Sequence, residues 1–255
     1  MTQETPCFDY QDPGTRCYQV RIPVGAVELE GDLRVPDRPR GIVLFAHGSG
    51  SSRKSPRNRY VASVLNAGSM ATLLLDLLTA SEEQSDAITG HLRFDIGFLA
   101  DRLAAATDWL ELHPELRNLA VGYFGASTGG GAALVAAAAR ADRVAAVVSR
   151  GGRPDLAGPA LQYVTAPTLL IVGGEDTPVI AMNRSAMQQI RAPKRLAIVP
   201  GATHLFEEPG TLQEVADLAL QWFDHYFTAA GATPRMTRTN EDAGLRAQHM
   251  NHGFA

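Results

Sequence analysis

The 255-residue sequence has only two cysteines, no marked excess of either charge and no long apolar run, and each scarcity narrows the reading. Cys7 and Cys17 stand outside any CxxC or metal-ligand spacing, so both are read as free thiols rather than as the ends of a small disulfide loop. Lys and Arg number 23 against 27 Asp and Glu, a formal net charge of −4 with the basic residues dispersed, which argues against nucleic acid as a partner. The longest apolar candidate, residues 131–148, is interrupted by Arg140, Asp142 and Arg143, so no membrane span is expected. The opening MTQETPCFDYQDPG offers neither a positive leader nor an apolar core, and a cytoplasmic protein is the expectation. What the chain does have is 45% hydrophobic residues, enough for a sizeable core in one large α/β domain or two small ones.

Organisation follows from periodicity. Residues 18–35 alternate apolar and polar positions and break at Pro23, Gly25 and Gly31, which predicts two antiparallel edge strands. Continuous apolar runs then recur at 41–46, 70–76, 121–126, 144–148, 167–172 and 195–199, separated by helical patterns at 60–67, 96–110, 134–140, 182–190 and 212–226. Residues 79–93 read as a polar delay before the second of these helices. Strands of this kind alternating with helices predict a mostly parallel, eight-stranded sheet with helices on both faces, whose functional loops lie at the carboxyl ends of the strands. The expected division is an N-terminal extension over 1–17, a single domain over 18–228, and a polar tail over 229–255 that serves as a flexible end or as an arm packed on a second subunit in a homodimer.

The densest chemical signal is Gly125-Ala126-Ser127-Thr128-Gly129, a GxSxG sequence between an apolar run and an Ala-rich helix. A bare GxSxG arises by chance in roughly one chain in ten of this length, so its context has to carry the argument. A serine set between strand and helix must turn so sharply that side chains two residues either side would collide, which explains both flanking glycines. The competing interpretation is a Gly-rich helix entry with a capping serine.

Three further strand ends supply partners: His47-Gly48-Ser49, Asp176 after Gly173-Gly174-Glu175, and His204 after Gly201-Ala202-Thr203. With the order Ser, Asp, His in place, the chain resembles the α/β-hydrolase superfamily over residues 18–227, and its short layout looks like the dienelactone-hydrolase-like branch. It departs from that branch in one respect, because dienelactone hydrolases use a cysteine nucleophile where this chain has Ser127, so their substrate does not transfer. The resemblance implies a serine hydrolase that cleaves a small soluble ester or lactone through an acyl-enzyme, without cofactor or metal. Its oxyanion donors would be the backbone N–H groups of Thr128 and of Ser49, with Gly50 next.

Chemistry requires each of these parts. An alcohol is a weak nucleophile at neutral pH, so Ser127 needs a base, and an imidazole such as His204 suits the task. A carboxylate on the far ring nitrogen fixes the tautomer and tolerates the cation that forms; Asp176 is the expected residue, with Glu175 the alternative. Asp76 reads as a cap or loop anchor, and His47 as a brace for its loop rather than a proton carrier. His91 lies in the polar delay that is able to fold over the pocket.

Two basic loops flank these residues. Arg53, Lys54, Arg57 and Arg59 follow the His47 loop, and Arg150 with Arg153 leaves the strand beside the elbow. Arg53 and Arg150 are the expected binders of a carboxylate- or phosphate-bearing ester, the alternative being that they pair with nearby acids. A phosphate-binding loop is nearly spelled by residues 48–55, but Arg53 stands where the second glycine is required, which argues against an NTPase. A non-catalytic binding module of the same fold, or a thioesterase or amidase using the same residues, remains the alternative function.

Overall fold

The computed structural model describes residues 5–6 and 14–232. Nine strands form one sheet: β1 (Thr5–Pro6), β2 (Thr15–Val24), β3 (Val27–Pro36), β4 (Gly41–Ala46), β5 (Ala71–Leu75), β6 (Ala120–Ala126), β7 (Val144–Arg150), β8 (Thr168–Gly173) and β9 (Lys194–Val199). Their spatial order is β1-β2-β3-β5-β4-β6-β7-β8-β9. The strands from β4 onward run parallel to one another, while the β2–β3 hairpin joins β5 antiparallel. Strands β2 to β9 are the eight expected; β1 is a two-residue addition that pairs with β2.

Each central strand is apolar throughout because both of its faces are covered. Val43, Phe45, Phe124 and Val148 point toward α1 (Pro56–Ala67) and α6 (Thr211–Ala232), where they meet Val61, Leu65, Val215 and Phe223. The alternate residues Ile42, Leu44, Tyr123 and Val147 point the other way, against α3 (Ile96–Leu110) and α4 (Thr128–Ala139). Helix α5 (Thr177–Gln189) follows β8 and adds Ala186 to this second layer. Among the described residues no helix is long and apolar enough to cross a membrane.

Three local readings are corrected. The polar delay at 79–93 folds into a helix, α2 (Ala80–Thr89), and a 3₁₀ turn (Leu92–Phe94). Thr79 and Glu82 form a reciprocal capping box: Thr79 N–H donates to Glu82 Oε2 at 2.8 Å and Glu82 N–H to Thr79 Oγ1 at 3.3 Å. Helix α2 buries only Asp86, so it shows no apolar stripe in the sequence. Helix α1 begins at Pro56, four residues earlier than the periodicity suggests, with Ser55 as its cap. Finally, Cys17 is disulfide-bonded rather than free, and the only other cysteine, Cys7, lies outside the described residues, as does the tail from residue 233.

Candidate active site

Ser127 sits where β6 turns into α4, with φ 50° and ψ −122°, a conformation that costs a non-glycine residue about 1–3 kcal/mol. Close packing explains its glycine neighbours. A Cβ on Gly125 would strike the Gly129 carbonyl, and one on Gly129 would strike the carbonyls of Ala46 and His47. The strained residue is pinned from both sides: its N–H donates to Arg150 O at 3.3 Å, and its carbonyl accepts from Gly130 N at 2.9 Å and Arg153 N at 3.0 Å. No hydrogen bond engages Ser127 Oγ among the described residues.

Asp176 and His204 arrive on the loops after β8 and β9. His204 Nδ1 and Asp176 Oδ2 are 2.6 Å apart, so Asp176 rather than Glu175 meets the ring. In the neutral form of the ring, Nδ1 is then the nitrogen that donates to the carboxylate, and the lone pair lies on Nε2. The ring packs on Gly151, where an added Cβ would lie 3.5 Å from both Cε1 and Nδ1. Gly151 directly follows Arg150, which is in register with Ala126, so imidazole and Ser127 share the carboxyl end of the β6–β7 pair. Glu208 holds the histidine loop: Thr203 Oγ1 donates to its Oε1 at 2.6 Å and Thr203 N–H to its Oε2 at 3.1 Å. These bonds, the hydroxyl's first, hold the Glu208 carboxyl below the usual range. Sequence alone gave no sign of this clamp, since nothing in a five-residue separation marks it.

The loop after β4 lies against the elbow, with an ideal Cβ on Gly48 only 3.0 Å from Ser127 Cβ. Thr128 N–H has no acceptor among the described residues. Ser49 N–H differs from expectation, because it donates to Thr128 Oγ1 at 2.8 Å instead of facing an open site. His47 braces the loop as anticipated. Leu77 N–H donates to its Nε2 at 3.0 Å, which leaves Nδ1 to donate to Gly48 O, also at 3.0 Å.

The two expected anion binders part company. Arg53 is taken up by carboxylates: its Nε reaches Asp32 at 3.3 Å, its Nη2 reaches Glu30 at 2.5 Å, its Nη1 bonds Asp76, and its N–H donates to Asp76 Oδ1 at 2.6 Å. That network removes Arg53 from ligand binding and makes it a tie between the His47 loop and the β2–β3 hairpin. Arg153 likewise pairs with Asp155 at 2.7 Å. Arg150 has no such partner. It is 7% exposed, its Nε and Nη1 are buried without a hydrogen bond, and its guanidinium carbon lies 5.9 Å from the centre of the Phe206 ring. Burial, and then the neighbouring Arg57, push its pKa down to about 10, so it stays cationic at neutral pH in a setting that disfavours charge.

Beside the elbow opens a cavity of about 580 Å³, walled by residues 47–52, by Ser55, Pro56 and Arg57 at the start of α1, and by Glu83, Asp86 and Ala87 of α2. Asp86 is self-contained there, accepting from Arg93 Nε and Leu92 N–H, each at 2.6 Å. His91, proposed as a cover, is not among the lining residues; Arg93 takes that place.

The strand order and the strained serine turn between strand and helix are those of the α/β-hydrolase fold. The sequence model of the dienelactone hydrolase family matches residues 30–229, and the chain belongs to that family. A crystal structure of dienelactone hydrolase from Anabaena variabilis shares 64% identity with a TM-score of 0.82, over 84% of this chain and 99% of that one. The fold is shared more distantly with Est1E from Butyrivibrio proteoclasticus, at 16% identity and a TM-score of 0.68 over 83% of this chain and 99% of that one. A Mycobacterium tuberculosis protein named "Putative phosphoribosyl transferase" is 59% identical over 215 residues, which are 84% of this chain and 48% of that protein. The chain thus spans about half the length of the curated relatives it matches.

Proposed function

We propose that the protein is a serine hydrolase that cleaves a small ester or lactone through an acyl-enzyme. The observation that carries this reading is the juxtaposition of a serine held at φ 50° with an imidazole whose far nitrogen is bonded to a carboxylate at 2.6 Å. In this reading Ser127 Oγ attacks the acyl carbon while its proton passes to His204 Nε2, and the imidazolium is stabilised by Asp176. The leaving alcohol takes that proton, and a water activated by the same nitrogen then attacks the acyl-Ser127 bond, releasing the acid and restoring the serine. Negative charge on the carbonyl oxygen is met by Thr128 N–H. Ser49 N–H supplies a second donor once it swings from, or is shared with, Thr128 Oγ1.

A hydrolase assignment also accommodates the transferase named in the M. tuberculosis relative. The matched part is 48% of that protein, so a name given to the whole does not by itself describe the shared part, whereas the hydrolase family model covers residues 30–229 of this chain. The reading is tested by hydrolysis of a panel of short acyl esters, thioesters and lactones beside Ser127→Ala. Turnover abolished by the substitution is expected, and turnover that survives it undiminished would refute the mechanism.

A further inference from the structure

We propose that Arg150 and Arg57 form a receptor for a phosphate group, so that the ester presented to Ser127 carries a phosphate. Such a substrate class rests on the hydrolase reading, but phosphate binding itself does not require turnover.

A buried guanidinium without a counter-ion is costly, because charge is removed from water and nothing replaces the lost hydrogen bonds. Every other strongly buried cation near the site has that debt settled within the chain: Arg53 by Glu30, Asp32 and Asp76, and Arg102 by Glu82 at 2.7 and 2.9 Å. Arg150 has two orphaned nitrogens, and its guanidinium carbon lies 5.9 Å from the centre of the Phe206 ring, which lines a second cavity together with Arg57. Arg57 is half-satisfied: its Nη1 bonds Glu207 Oε1 at 3.1 Å, while its Nε is buried with no acceptor. The backbone N–H of Arg57 also lacks an acceptor among the described residues, and it opens the first turn of α1, a twelve-residue helix with no acid in that turn. The positive end of the helix dipole therefore adds to two guanidiniums.

The donors point to phosphate rather than carboxylate. Three orphaned side-chain nitrogens and one amide, spread over two guanidiniums and a helix start, do not lie in the single plane of one carboxylate fork, and two cations are matched in charge by a dianion rather than a monoanion. A phosphate offers three terminal oxygens and close to two charges against two cations. The position suits a substrate as well. Arg57 lines the cavity that begins at the loop beside Ser127, and Arg150 belongs to the strand end whose carbonyl accepts the Ser127 N–H, so both cations come from segments that border the serine turn.

Binding of inorganic phosphate to the full chain, followed by calorimetry and by thermal shift at constant ionic strength, tests the receptor. Wild type and Ser127→Ala should bind alike, and acetate should bind neither. Arg150→Met should lose binding, yet in the absence of phosphate it should melt no lower than wild type, since it removes an uncompensated charge; a merely structural arginine would lower the melting point. Arg57→Gln, at a more exposed position, should weaken binding about tenfold. Glu207→Gln should tighten binding by freeing Arg57. Esters then separate the two readings: an acyl ester of glycerol phosphate should be preferred over the same ester of glycerol, and Arg150→Met should collapse that ratio toward one. Phosphate binding without ester turnover would leave the receptor standing and remove the hydrolase. Ester turnover with no phosphate binding, or with acetate bound as well as phosphate, would overturn the receptor alone.

Discussion

Two sets of polar groups meet at the carboxyl end of the sheet, and they differ in who satisfies them. On the side of the His47 loop, the chain answers its own demands: Arg53 is gripped by three carboxylates, His47 bridges Leu77 and Gly48, and Asp86 holds Arg93. On the side of the elbow, Ser127 Oγ and Thr128 N–H have no partner among the described residues, and Arg150 Nε and Nη1 are buried without one there. Buried polar groups are ordinarily paired, so the first set behaves as scaffold, while the second keeps the donors that the proposed function assigns to substrate. The comparison teaches that exposure and residue type do not separate Arg53 from Arg150; the presence of carboxylate partners does.

The largest effect should come from the unsatisfied side. Replacing Ser127 by Ala, or His204 by Ala, is expected to lower kcat for a short ester on the order of 10⁴-fold or more, with little change in melting temperature. A loss of only a few-fold would place the chemistry elsewhere. On the satisfied side the same kind of truncation should act on stability instead. Arg53→Met leaves Asp76 without its cation and Asp32 with only Arg59, 3.6 Å away, and should cost about 3 kcal/mol in urea unfolding. If it instead left stability intact and changed only ester preference, the contrast drawn here would fail.

Smaller effects sharpen the scaffold side further. Thr79→Ala removes one arm of the α2 capping box and should destabilise by about 1 kcal/mol, read as a lower urea midpoint with an unchanged slope. Glu82 gives the matching pH dependence. Burial opposes its ionisation but is outweighed by the Thr79 N–H and by Arg102, so its folded pKa lies below the usual value. Its contribution is therefore fully present above the unfolded pKa of about 4.3 and is lost as pH falls through the lower folded value. Glu82→Gln should flatten stability against pH in that acid window, and an unchanged profile would rule the carboxylate out as its source.

Much of this arrangement was legible in the residues. Uninterrupted apolar runs such as 41–46 and 168–173 mark buried parallel strands because both faces are covered, and the paired glycines around Ser127 mark a turn too tight for side chains. The order of Ser127, Asp176 and His204 identified which loops meet. Other features were hidden for physical reasons. Helix α2 has no apolar stripe, and its one local signal, Thr79 followed three residues later by Glu82, is too short to set a helix apart from a polar loop. The division between Arg53 and Arg150 depends on Glu30, Asp32 and Asp76, residues from two other strand regions that come together only through the antiparallel pairing of β3 with β5. Disulfide bonding of Cys17 was misread because spacing of two cysteines carries no geometric information by itself.

The central claim is that Ser127 is an activated nucleophile. Incubating the protein with a fluorophosphonate and locating the adduct by mass spectrometry tests it most directly. One adduct per chain on Ser127, formed far more slowly in His204→Ala and absent in Ser127→Ala, is the predicted result. A chain that stays unlabelled, or that labels equally well without His204, would contradict it.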